Sequence, residues 1–96
     1  MKENQRLIRA RRKLLKNRLS NARKALDSAE FMITLLVVTI EDLKSGDDID
    51  CNVLSDEELS EEIELKEREL KRFKNEKKYW EEVIIDTEKE LKELKL

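Results

Sequence analysis

Residues 41–59 read EDLKSGDDIDCNVLSDEEL and hold Gly46, the only glycine in a chain of 96 residues that has no proline. Glycine suits the left-handed position just past a helix C-terminus, and proline is the residue that interrupts helices. Later in the stretch, Ser55 is followed by Asp56, Glu57 and Glu58. That is a capping box with acids in the first turn, the signature of a helix start. One helix therefore stops near Gly46 and a second begins at Ser55.

The apolar pattern agrees on both sides of this break. Before it, Ile8, Leu15, Leu19, Ala22, Leu26, Ala29, Ile33, Leu36, Ile40 and Leu43 recur at steps of four and three, with Arg12 as the one polar member. After it, Leu59, Ile63, Leu70, Phe73, Trp80, Ile84, Leu91 and Leu94 keep the same rhythm, with Lys66, Lys77 and Thr87 as polar members. These are heptad seams. The sequence predicts an all-α fold, an antiparallel two-helix coiled-coil hairpin that pairs into a four-helix bundle dimer. The whole of 1–96 is one unit, with helix 1 over about 3–44, a turn at 45–54 and helix 2 over about 55–95. Lys89, Lys92 and Lys95 suit a helix C-terminal end. If paired residues sum to 99, the rungs match: Ile40 faces Leu59, Leu36 faces Ile63, Leu26 faces Phe73, Leu19 faces Trp80 and Ile8 faces Leu91. Ala22 then falls opposite Lys77, whose stem covers it.

Composition restricts the function classes. Charged residues make up 46% and aromatics 4%, enough apolar surface for a narrow seam and too little for a thick core with a catalytic cleft. There is no histidine, which removes the commonest general base and metal ligand. The single cysteine, Cys51, excludes an intramolecular disulfide and suits a reducing compartment. Nothing pairs a Ser or Cys nucleophile with a base, and carboxylates on a wet helix face lack the enclosed environment that catalysis needs. The expectation is no enzyme and no cofactor. The turn residues Asp47, Asp48, Asp50 and Asn52 invite a calcium-loop reading. Counted from Asp48, however, Val53 stands where glycine is required and Leu59 where glutamate is required, so no metal site is expected. Ile49, Val53 and Leu54 are read as a cap on the end of the seam. The most apolar run, Phe31 to Ile40, is half the length of a membrane span. A cytoplasmic protein without a membrane span is expected.

Two features exceed what a hairpin requires. Residues 1–26 carry ten Lys/Arg and one acid, whereas residues 27–64 carry one Lys and thirteen acids. In helix 1 this opposes the macrodipole, so either something other than helix stability set the charges or Arg and Lys serve only as good helix formers on a wet face. Arg6, Arg9, Arg12, Lys13, Lys16, Arg23 and Lys24 are candidate contacts to nucleic acid or an acidic partner, with Asn4 and Gln5 just before them and Asn17 and Asn21 between them. Counting against nucleic acid, a segment built into the hairpin is no free basic arm. The second feature is apolar width. Phe31, Leu35 and Val38 draw a stripe beside the seam, joined by Met32, and Tyr79 and Val83 flank the seam near Trp80. Such a stripe marks an association surface. The leading expectation is a non-enzymatic helical interaction module, homodimeric, acting as an adaptor or inhibitor of another protein. Its Lys-, Glu-, Ile- and Asn-rich style suits a phage or mobile-element accessory protein. Nucleic-acid binding through the basic half of helix 1 is the alternative.

Overall fold

A computed structural model describes residues 2–46 and 54–94. They form two helices, α1 (Lys2–Ser45) and α2 (Asp56–Glu93), packed side by side in a rod of 71 × 17 × 14 Å. The punctuation is as the sequence predicts. Gly46 adopts φ 76°, and its N–H donates to the Asp42 carbonyl at 3.1 Å, closing α1 with a left-handed cap. Ser55 is the N-cap of α2: its Oγ accepts from the Glu58 N–H at 3.2 Å. The return half of the box differs from the standard form. The Glu58 carboxylate accepts from the Ser55 hydroxyl at 3.0 Å rather than reaching the backbone. At the far end the Leu94 N–H bonds to the Glu90 carbonyl.

Four ion pairs cross between the helices and fix their register. Arg18 Nη1 lies 3.9 Å from Glu90 Oε2, and Arg23 Nη2 lies 3.2 Å from Glu88 Oε1. Lys77 Nζ lies 4.0 Å from Glu30 Oε1, and Lys44 Nζ lies 3.1 Å from Glu67 Oε1. The residue numbers of these pairs sum to between 107 and 111. Helical side chains lean toward their own N-terminus. In an antiparallel pair, touching side chains therefore sum to slightly more than residues at one level. The two seams interlock only at values seven apart, and 106 is the one just below the observed range. At 99 the paired residues would stand roughly 12–18 Å apart along the axis at ~1.5 Å per residue.

The expected register is therefore corrected by one heptad. Leu43 is level with Ile63, Leu36 with Leu70, Ile33 with Phe73, Leu26 with Trp80, and Leu15 with Leu91. Trp80 does not face Leu19, and Ile8 does not face Leu91. The Lys77 stem covers Ala29 rather than Ala22, and its ammonium ends at Glu30. The cause lies beside the seam. Slid back by seven, the contacts that now hold Arg18–Glu90, Lys44–Glu67 and Lys77–Glu30 would set Arg18 beside Val83, Lys44 beside Ser60 and Lys77 beside Arg23, so three of the four pairs would be lost. Flanking charges of this kind set partner orientation in coiled coils.

The core is deepest on α1. Leu15, Ala22, Ala29, Leu36, Ile40 and Leu43 are buried, as is Thr87 on α2. The remaining α2 seam residues, Leu59, Ile63, Leu70, Phe73, Trp80, Ile84, Leu91 and Leu94, are half-buried. A pair of helices encloses only one narrow seam. The small Ala22 and Ala29 disappear beneath their neighbours, and the larger α2 side chains keep an open edge. The Thr87 hydroxyl donates to the Val83 carbonyl at 2.7 Å, so its burial leaves no polar atom unpaired.

The slide also leaves each helix with an overhang. Lys2 to Arg12 of α1 lie beyond the level of Glu93, and Asp56 to Ser60 of α2 lie beyond the level of Ser45. The 71 Å length fits this stagger, since α1 alone spans about 66 Å. The basic segment was expected to lie wholly within the hairpin. Lys2 to Arg12 instead reach past the level of the last α2 residue, with Ile8 and Arg12 half-buried and Arg6 and Arg9 exposed. The acidic turn residues Asp47, Asp48, Asp50 and Asn52, together with Ile49, Cys51 and Val53, fall outside the described residues.

Candidate interaction faces

The Arg18–Glu90 pair identifies one flank of the hairpin. Stepping by sevens, Arg18, Ala25, Met32 and Thr39 line that flank on α1. Glu62, Glu69, Glu76, Val83 and Glu90 line it on α2. Farther from the seam on the same side come Leu14, Asn21, Ser28 and Leu35, facing Leu65, Arg72 and Tyr79. Phe31 and Val38 lie one step beyond Leu35. The candidate association residues thus gather on one face. Phe31 is 67% exposed, Leu35 47%, Val38 48% and Tyr79 58%, and Met32 and Val83 are half-buried.

The corrected register draws this face together. Tyr79 lies level with Asp27, one turn from Phe31, instead of level with Ser20. Its ring meets Trp80 edge-on at 4.9 Å with the planes at 72°, tying the exposed tyrosine to the seam. On α1 the stretch of this face from Ala25 to Thr39 carries no charge. The Thr39 hydroxyl donates to the Leu35 carbonyl at 2.8 Å, so it turns inward to the helix and its methyl remains for contact. The opposite flank is different in kind. Lys16, Arg23, Glu30, Lys44, Glu67, Lys74 and Glu88 line it, and Val37 is its one apolar member on α1.

Charge on the apolar face is graded along its length. Toward the overhang of α1 stand Arg11, Arg18 and Lys24, with Glu90 of α2 paired to Arg18. Toward the start of α2 stand Glu58, Glu62 and Glu69. An open recess there is lined by Leu54, Glu58, Glu61, Glu62, Leu65 and Arg68.

The basic candidates occupy a second region. Arg6, Arg9, Lys13, Lys16, Arg23 and Lys24 are exposed and Arg12 is half-buried. Arg9, Arg12, Lys13 and Lys16 line a shallow recess with Asn17. Among the cations from Arg6 to Lys24, only Arg18 and Arg23 engage an acid among the described residues. No acid occurs between Asn4 and Leu26.

Four exposed apolar side chains went unremarked in the sequence: Leu7, Leu14, Leu65 and Ile85. A signal for two of them was present. Leu7, Leu14 and Leu35 lie on one seven-residue line with Asn21 and Ser28, so the apolar face extends toward the overhang. Among the described residues, no cluster of three or more acids or cysteines is placed to hold a metal ion, and no helix is long and apolar enough to cross a membrane. The chain matches no protein-family model, no curated protein and no solved structure.

Proposed function

We propose that this hairpin is a non-enzymatic interaction module whose first partner is a second copy of itself. The observation that carries the reading is the charge-free apolar face of α1 from Ala25 to Thr39, completed by Tyr79 and Val83. A two-fold dimer requires a self-complementary patch, and this face has the required polarity: basic at one end, apolar in the middle, acidic at the other. Two copies of α1 crossing antiparallel about Leu35 bring Phe31, Leu35 and Val38 of each together. Lys24 of one copy then approaches the level of Glu58 and Glu62 of the other. The apolar centre supplies affinity, and the charges at the rim set orientation. The product is a four-helix bundle.

The dimer would act in the cytoplasm as an adaptor or inhibitor, by what it covers rather than by a reaction it performs. The exposed apolar side chains Phe31, Leu35, Val38 and Tyr79 support this. Sedimentation at tens of micromolar tests the reading. The parent should run as a dimer, and Leu35→Glu with Val38→Glu should run as a monomer of unchanged helicity at low temperature. A monomeric parent would overturn the model.

A further inference from the structure

We propose that the overhanging basic segment of α1, with the turn that follows it, binds the phosphate backbone of duplex DNA. The argument begins with the overhang. Where α1 and α2 run side by side, the Cα trace alone is 17 × 14 Å across, wider than the ~12 Å major groove of B-form DNA. Lys2 to Arg12 lie beyond the level of the last residue of α2, with Ile8 and Arg12 half-buried on the seam side and Arg6 and Arg9 exposed. A single α-helix, ~10–12 Å across with its side chains, fits that groove. Of the two single-helix overhangs among the described residues, that of α1 is the longer and carries five cations and one acid, whereas Asp56 to Ser60 carries three acids.

The side chains suit phosphate. Arg6, Arg9, Lys13 and Lys16 recur at steps of three and four, which sets them along one face of the helix, with Arg12 beside them in the same recess. None of the five engages an acid among the described residues. Arginine's planar fork grips phosphate oxygens with two parallel hydrogen bonds. The helix N-terminus adds partial positive charge at the same end. Gln5 and Asn17 stand among the cations, where an amide can reach a base edge. This stripe also lies off the apolar face, so the site does not depend on the proposed dimer. An acidic polypeptide is the competing occupant. It would not need the narrow single-helix geometry that the one-heptad slide produces.

The test is fluorescence anisotropy of the full chain with labelled duplex DNA across a salt series. Binding is expected near 50 mM salt and should weaken steeply as salt rises. Arg9→Gln, Lys13→Gln and Lys16→Gln together should lower affinity at least tenfold and flatten the log–log salt slope by about 2.7, near 0.9 for each cation removed. A control of equal charge change, Lys71→Gln with Lys74→Gln and Lys78→Gln on α2, should leave both nearly unchanged. Circular dichroism of both variants should match the parent. Three results would overturn the proposal: no binding by the parent at about 50 mM salt, equal losses in the two triple variants, or equal displacement of the DNA by polyglutamate. Duplex RNA, whose deep and narrow major groove excludes side chains, should bind more weakly. Equal binding would refute groove entry.

Discussion

Arg23 Nη2 donates to Glu88 Oε1 at 3.2 Å across the hairpin, and this contact exists only because the helices are offset by one heptad from the fullest apolar match. The pair is exposed, so its own worth is small, about 0.2–1 kcal/mol. Its importance is to the register, which it fixes together with Arg18–Glu90 and Lys44–Glu67, pairs that a slide of seven would break. Cysteines placed at Leu36 and Leu70, in a Cys51→Ser background, should join within one chain through a short thiol crosslinker. Cysteines at Leu36 and Ile63 should not. Preferential linkage of the second pair would return the register to a sum of 99.

Swapping charges tests the cause of that register. Arg18→Glu with Lys44→Glu should oppose Glu90 and Glu67 in the present alignment, while meeting only Val83 and Ser60 in the displaced one. The double variant should therefore shift crosslinking from the 36–70 pair toward the 36–63 pair. If it merely lowers stability with the first pair still preferred, the turn sets the register and the flanking charges do not.

How much was legible follows from what repeats and what does not. Gly46, Ser55 and Glu58 are unique local signals, each with one structural meaning, and they locate the helix ends to within a residue or two. The seam is legible because two helices in contact must alternate by threes and fours. Register is not legible from the seam, because a heptad pattern looks the same after a slide of seven. Counting apolar rungs favours 99, which keeps Ile8 opposite Leu91. The signs at Arg18, Lys44, Glu67 and Glu90 carry the missing information. The exposure of Phe31, Leu35 and Val38 was readable from their distance off the seam. Their proximity to Tyr79 was not, because it depends on the register, and so does the overhang that carries Arg6 and Arg9 past the level of the last α2 residue.

Trp80 and Thr87 are expected to behave in opposite ways. Trp80 is half-buried, lies level with Leu26 and carries the Tyr79 ring on its edge. Trp80→Ala should cost about 2–3 kcal/mol, below the ~3–5 kcal/mol of a fully buried tryptophan. Lys74→Ala should stay within about 0.5 kcal/mol. Thr87 is buried, yet its hydroxyl bonds only within α2. Thr87→Val removes a donor whose acceptor already belongs to the helix, and should be neutral or stabilising by up to about 1 kcal/mol. Urea titrations of the three variants decide the matter. A loss beyond 1 kcal/mol for Thr87→Val would show that the hydroxyl has a role across the seam.

Gly46 should resist substitution for a backbone reason alone. Its φ of 76° is left-handed, yet a Cβ added there meets nothing within 4 Å. Gly46→Ala should therefore cost about 1 kcal/mol through strain and not through collision. Gly46→Asn should cost less, since asparagine tolerates that conformation. Equal losses would place the penalty outside the backbone.

The two interaction regions should separate cleanly. The apolar face centres on Leu35 and lies on the flank identified by Arg18 and Glu90. The basic stripe runs through Arg9, Lys13 and Lys16 toward the other flank, which Arg23 and Glu88 mark. Leu35→Glu with Val38→Glu should abolish dimerisation and leave the intrinsic affinity of each basic segment for duplex DNA. The salt slope of each segment should match the parent's. Arg9→Gln, Lys13→Gln and Lys16→Gln should leave sedimentation as a dimer unchanged, because none of the three lies on the face that pairs. Sedimentation and anisotropy on both variants measure each property independently. Loss of dimerisation in the triple variant would mean that the basic stripe contacts the second copy, and the dimer axis would then lie nearer the overhang than Leu35.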